Sequence, residues 1–199
     1  MRTYCGFCDP SGGSSDSMTL GIAHCSSMLK RCVLDGFWER KPPFSPATVT
    51  EEFAAVLKSY RIRIVVGDRY SGEWVRESFR TCGIEYTPSE LTKSEIYSTF
   101  VALVNSGRIR IPCDKRLKSQ LAQLERRLSR VGKDVIDHAP GAHDDIANAA
   151  AGALVLAAKG SAERVPWIEF LSLDAPGARP GVTLDPRDDG PARWWTRIT

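Results

Sequence analysis

The stretch His143-Asp144-Asp145-Ile146-Ala147-Asn148-Ala149 constrains the fold more than any other part of the chain. It opens a helix that continues as Ala150-Ala151-Gly152-Ala153-Leu154-Val155-Leu156-Ala157-Ala158. Residues this small suit close packing of a helix on a sheet, which holds the helix start near strand ends. Two Asp residues in a first turn are stabilised by the helix dipole and the free backbone N–H groups, and that is one reading of them. Two carboxylates pointed at a sheet edge also need a partner, and a metal ion is the other reading. The second reading requires further carboxylates at strand ends.

The first candidate comes early. Arg2 to Cys8 reads as a strand that delivers Asp9, followed by the turn Pro10-Ser11-Gly12-Gly13-Ser14-Ser15-Asp16-Ser17. Met18 to Cys25 and Met28 to Gly36 read as two further strands joined by short turns, which predicts an antiparallel meander. Asp9 alone is equally a turn-initiating Asp bonded to its own backbone. Cys5-Gly6-Phe7-Cys8 has the spacing of a redox pair but lies inside the predicted strand, where the two side chains point to opposite faces. No second such pair follows to complete a zinc site, so both are read as packed thiols.

A Pro-containing linker over residues 38–48 leads to a helix that starts at Ser45-Pro46 and presents Phe53, Val56, Leu57 and Tyr60. Arg61 to Val66 then reads as a buried strand ending in Gly67-Asp68-Arg69-Tyr70, a second Asp at a strand end. The helix after it is expected to carry Trp74, Val75 and Phe79 on one face. Ile84-Glu85-Tyr86 is a short strand. Thr92-Lys93-Ser94-Glu95 is a capping box, opening a helix with Ile96, Phe100 and Val104 inward. Residues 108–112 form another extended piece. From Asp114 a helix is expected to show Leu117, Leu121, Leu124 and Leu128 on one side and a basic face with Lys115, Arg116 and Arg130 on the other. It leads into the hairpin-like turn Val131-Gly132-Lys133-Asp134. A basic face is either plainly solvated or, beside a carboxylate cluster, suited to a phosphate backbone.

At 199 residues, 42% hydrophobic and 26% charged, the chain is expected to form one domain over residues 1–160, followed by a Pro/Gly-rich tail over 161–199 that docks through Trp167, Ile168, Phe170 and Leu171, with Trp194-Trp195 near its end read first as packed. A net charge of +3 does not by itself imply nucleic acid. No apolar run approaches about 18 residues, and Met1-Arg2-Thr3-Tyr4-Cys5 lacks the apolar core of a signal peptide. A cytoplasmic chain with six reduced cysteines is therefore expected. Neither nucleotide-binding glycine loop occurs.

Carboxylates at the end of the first strand, at the end of the strand after the first helix and at the start of the last helix can converge. Gathered without cations they would repel and be partly protonated. All-oxygen ligands suit magnesium or manganese, and two such ions can clamp a phosphodiester.

From about Tyr4 to Ala158 the sequence resembles the nuclease domain of the large terminase subunit of tailed bacteriophages. The residues that carry the resemblance are Asp9-Pro10-Ser11-Gly12-Gly13 with Asp16-Ser17, Gly67-Asp68-Arg69-Tyr70 with Gly72-Glu73-Trp74-Val75, Gly83-Ile84-Glu85-Tyr86, Lys93-Ser94-Glu95-Ile96-Tyr97, and His143 to Ala149. The resemblance implies an α/β, ribonuclease H-like fold, with a mixed central sheet whose first three strands are antiparallel and flanked by helices. It implies a two-metal endonuclease, using Mg2+ or Mn2+, that cuts concatemeric viral DNA during genome packaging in the host cytoplasm. It also implies double-stranded DNA, an ATPase motor domain, the small terminase subunit and the portal as partners.

The family's acidic cluster maps onto Asp9, Asp68 and the pair Asp144 and Asp145, which leaves open which of the pair binds metal. Asp9 would bridge the ions. Arg69, Lys93, Arg130 and Lys133 are candidate phosphate contacts. His143 either completes the site or is a loop histidine, and Asp16 either supports the metal ligands or is a turn residue. The family's motor domain has no counterpart here, so the chain is expected to be an excised domain, a truncated prophage product or a split subunit. A non-catalytic DNA-binding module is the alternative from another class. A junction resolvase or ribonuclease H is the alternative within the fold.

Overall fold

The structure is a computed structural model of the chain, and it describes residues 2–26, 31–69, 72–128 and 134–162. The tail beyond residue 162, and with it Trp194-Trp195, lies outside the described residues.

Three strands come first: β1 (Tyr4–Asp9), β2 (Met18–Ser26) and β3 (Arg31–Arg40), paired antiparallel as a meander. Alternation sorts their side chains: Phe7 packs in one core, while Cys8, Leu20 and Ile22 pack in the other. Helix α1 (Pro46–Ser59) crosses to β4 (Ile64–Gly67), which lies parallel to β1 on its free side. Helix α2 (Glu73–Thr81) crosses to β5 (Glu85–Pro88), parallel to β4 at the sheet edge. Helix α3 (Lys93–Asn105) leads to the two-residue β6 (Ile109–Arg110), parallel to β3 at the opposite edge. The sheet order is β5-β4-β1-β2-β3-β6.

Helix α4 (Lys115–Ala122), the hairpin β7 (Leu124–Leu128) with β8 (Asp134–His138), and α5 (Asp145–Ala162) complete the described elements. Helices α1 and α2 cover one face through Val49, Phe53, Leu57, Val75 and Phe79. Helices α3, α4 and α5 cover the other, with Tyr97, Phe100, Leu117, Leu121 and Leu154 buried there. No helix among the described residues is long and apolar enough to cross a membrane.

The small residues of α5 set its distance from the sheet. A Cβ on Gly21 of β2 would lie 2.3 Å from the Ala149 carbonyl oxygen, and one on Gly152 would lie 2.4 Å from the Phe7 ring. Backbone and ring thus meet where any side chain would hold them apart. The hydroxyl of Thr19 donates to the Asp145 carbonyl at 2.8 Å, and Gln120 Oε1 accepts from the Ala147 N–H at 2.9 Å. The start of α5 is thereby tied to β2 and its first turn is capped from α4.

Several expectations are corrected. The helix expected to run through Leu128 stops at Ala122, and Leu124–Leu128 is a strand paired with Asp134–His138. Leu117, Leu121 and Leu124 are all buried, so burial alone fits either reading. The pairing partner, Asp134–His138, lies further along the chain, where local periodicity carries no information. The third strand begins at Arg31 and extends to Arg40, into the expected linker. Trp74 is 39% exposed while Val75 and Phe79 are buried, because adjacent helical residues diverge by about 100°. Cys25 and Cys32, expected to be reduced, are directly opposed in the β2–β3 ladder and joined as a disulfide. Cys5 and Cys8 pack on opposite faces, as expected of two residues three apart in a strand.

Candidate active site

Strands β1 and β4 run side by side in the same direction, with Cys8 opposite Gly67. The next residue on each, Asp9 and Asp68, therefore leaves the carboxyl end of the parallel pair at the same level. This is the end where open α/β sheets bind ligands. Gly67 makes the approach possible: a Cβ there would lie 2.4 Å from the Cys8 carbonyl and 2.3 Å from the Tyr86 hydroxyl. That hydroxyl reaches past Gly67 to donate to the Asp68 carbonyl at 3.0 Å. Asp9 shares its face of β1 with Phe7, under α5, whose first residues bring in Asp145 and Asn148.

These groups line one cleft of about 520 Å³, with Asp9, Asp68, Asp144 and Asp145 all on its wall. The β1–β2 turn forms another wall, including Ser14, Ser15 and Asp16, and Lys93, His138 and His143 also border it. Of the ten residues expected at the site, the structure brings together Asp9, Asp16, Asp68, Lys93, His143, Asp144 and Asp145. Arg69 instead donates to the carbonyl oxygens of Ser89 and Glu90. Arg130 and Lys133 lie outside the described residues.

The two adjacent Asp residues have different surroundings. Asp144 is 4% exposed, and both its oxygens are occupied. Tyr97 donates its hydroxyl to Oδ2 at 2.7 Å, and Lys93 Nζ lies 2.9 Å from Oδ1 and 2.8 Å from Oδ2. The same ammonium lies 3.1 Å from Asp137 Oδ1. Burial alone would lower Lys93, but its hydrogen bonds and charge pairing with Asp144 and Asp137 outweigh it and hold the ammonium above the ordinary lysine value. Burial would raise Asp137, and Lys93 overrides it and pulls it down. Burial, then the charge and hydrogen bond of Asp144, push Tyr97 well above the usual phenol value, so it stays a neutral donor.

Asp137, His138 and Asp144 have the spacing of a metal-binding group. One ammonium already pairs with both of its carboxylates, and a second cation there would face Lys93 at contact distance. His138 Nδ1 lies 2.9 Å from the Ala139 carbonyl, which can only accept, so Nδ1 carries the proton and Nε2 faces Asp137 and Asp144 at 3.9 and 4.0 Å.

Asp9, Asp68 and Asp145 line the same cleft, more widely spaced than the Asp137–His138–Asp144 group, and the charges of Asp68 and Asp145 act on Asp9. Asp9 is pushed up to about 7, first by burial; the Asn148 amide, 2.8 Å from its Oδ2, opposes this, and the charges of Asp68 and Asp145 reinforce it. Burial and then the neighbouring Asp144 raise Asp145. Like charges are gathered here in partial burial, and all-oxygen donors of this kind fit a hard divalent cation. Asn148, Tyr97, Asp137 and His138 are the neighbours that the sequence reading did not single out. Asn148 is the lone polar residue in an apolar helix stretch, one turn after the Asp pair, and Tyr97 is one turn after Lys93. Those spacings were the available signals. Asp137 and His138 depend on the hairpin and left none.

No protein-family model matches the sequence, and no curated protein matches it. The fold does match solved structures. One is the large terminase nuclease from thermophilic phage G20c with bound magnesium, with TM-score 0.64 and 22% identity over 77% of this chain and 80% of that one. A second is the HK97 bacteriophage large terminase, with TM-score 0.62 and 13% identity over 78% of this chain and 40% of that one. A third is a mutant nuclease domain of the large terminase subunit of bacterial virus Sf6, with manganese and beta-thujaplicinol. It gives TM-score 0.58 and 13% identity over 77% of this chain and 86% of that one. The chain thus has the ribonuclease H-like fold seen in the nuclease domains of phage large terminases.

Proposed function

We propose that this chain is a metal-dependent DNA endonuclease that hydrolyses phosphodiester bonds in concatemeric viral DNA during genome packaging. The observation that carries the reading is the convergence of Asp9, Asp68 and Asp145 at the carboxyl ends of a parallel strand pair, with Asp9 pushed to about 7 by burial and by the other two. Magnesium- and manganese-bound neighbours of the same fold agree with it.

In this reading Asp9, Asp68 and Asp145 would hold the cations. Divalent ions, when bound, would supply an activated water and neutralise charge on the phosphate and the leaving oxygen. Of the adjacent pair, Asp145 is assigned as ligand, because Tyr97 and Lys93 occupy the oxygens of Asp144. Asp144, Lys93 and Asp137 form the support behind it, fixing the start of α5 against α3 and β8. Lys93, expected to touch phosphate, acts as the internal counter-charge. His138 borders the cleft, where Nε2 offers a lone pair to a donor such as a water. The serine-rich β1–β2 turn offers hydroxyls along the opposite wall, while Arg130 and Lys133 remain assigned to the DNA backbone. The ATPase motor, small terminase subunit and portal are proposed partners by the same likeness.

The test is cleavage of plasmid DNA with Mn2+ or Mg2+, compared with a four-way junction and an RNA–DNA hybrid. Duplex cutting abolished by chelator and by Asp68→Ala is expected. Salt-sensitive binding of DNA without any cutting would replace the enzyme with a binding module, and a preference for junction or hybrid would move the assignment within the fold.

A further inference from the structure

Asn148 is the one polar side chain between Ile146 and Val155. It is 2% exposed and lines the cleft. Its Nδ2 donates to Asp9 Oδ2 at 2.8 Å, whereas its Oδ1 is buried with no hydrogen-bond partner among the described residues. With Asp9 ionised, as it is when a cation is bound, the amide cannot turn over, since that would set its oxygen against a carboxylate oxygen at hydrogen-bond distance. Buried amide oxygens are rarely left unpaired in native proteins. Alanine, which surrounds it in the sequence, would fill the position with better helix propensity and no orphaned acceptor. The oxygen therefore belongs to a state in which something donates to it. Magnesium-type cations held by a few carboxylates keep several of their waters, and those waters are strong donors.

We propose that Asn148 is a positioning residue of the cation site: Nδ2 occupies one oxygen of Asp9 and leaves the other for the cation, while Oδ1 accepts a hydrogen bond from a water carried by that cation. This rests on the reading of the cleft as a divalent-cation site. The amide then has two roles that an ionised carboxylate could not combine, a donor toward Asp9 and an acceptor toward the hydrated ion. It also explains why an apolar helix interrupts its pattern one turn after its acidic start.

The test is calorimetric titration of the full chain with Mn2+ alone, for the unaltered protein, Asn148→Ala and Asn148→Leu, with melting temperatures measured in chelator and in saturating Mn2+. Leucine preserves the volume should alanine compromise folding. The Mn2+ affinity is expected to fall about 10- to 100-fold, the loss typical when a group supporting a metal ligand is removed. The melting temperature in chelator should hold or rise, because the orphaned oxygen is gone, while the Mn2+-induced rise shrinks. Affinity within twofold of the unaltered chain would overturn the inference. So would a loss of affinity matched by an equal loss of stability in chelator, which marks a merely structural role. Absence of any Mn2+ binding by the unaltered chain, unchanged in Asp68→Ala, would overturn the cation-site reading itself and this inference with it.

Discussion

Replacing Asp9 by Asn should stabilise the metal-free protein, and only at pH values where Asp9 is forced to ionise. The unfolded chain ionises this carboxyl near 3.8, whereas in the folded protein it holds its proton up to about 7. A raised acid contributes stability that is complete below the unfolded value and is lost as pH rises through the folded one. Moving a carboxyl over that interval corresponds to roughly 4 kcal/mol as an upper limit. Asp9 keeps an edge open to the cleft, so solvent screening reduces the expected gain to about 2 kcal/mol. Asn retains the shape, and its amide oxygen can still accept from Asn148. Urea unfolding in chelator at pH 4, 6 and 8 measures it. The difference between Asp9→Asn and the unaltered chain should be near zero at pH 4, intermediate at pH 6 and full at pH 8. A difference that does not change with pH, or a destabilisation at pH 8, would refute the claim that burial, reinforced by Asp68 and Asp145, holds Asp9 protonated.

Four further outcomes follow from the same geometry. Mn2+ affinity should rise about tenfold per pH unit below 7 and flatten above it, because binding must displace the Asp9 proton; calorimetry across pH 5.5–8 would show a flat profile if it does not. Lys93→Met should destabilise by about 3 kcal/mol in denaturant unfolding, since it leaves Asp144 buried without its counter-charge; a neutral result would remove Lys93 from the support. Gly21→Ala should cost roughly 2 kcal/mol and lower cleavage together, because the added methyl pushes α5 and Asp145 off the sheet; cleavage unchanged at reduced stability would separate the two. Asp145→Ala should abolish metal-dependent cutting without loss of stability, whereas Asp144→Ala should lose both, as read by plasmid cleavage beside thermal melts.

The central architecture was legible because its signals are local. The meander is written in alternation and short turns, the capping box of α3 is written in Thr92 and Glu95, and the close packing of α5 is written in its alanines and glycines. Asp9, Asp68 and the Asp pair could be read as strand-end and helix-start carboxylates for the same reason. What was hidden depends on pairing across distance. Leu117, Leu121 and Leu124 keep helical spacing, and only the partner strand Asp134–His138 ends the helix at Ala122. With a hairpin-like turn expected but its two strands unread, Asp137 and His138 could not be placed against Lys93, whose ammonium pairs with Asp137 and Asp144 while bordering the cleft. The choice between Asp144 and Asp145 was equally out of reach, because it rests on Tyr97 and Lys93 arriving from α3.

The most direct measurement is the anomalous scattering of manganese in a crystal of this chain soaked with Mn2+. The account predicts density held by Asp9, Asp68 and Asp145, with Lys93 still seated between Asp137 and Asp144. Manganese bound instead by Asp137, His138 and Asp144 with Lys93 displaced, or none in the cleft at all, would contradict it.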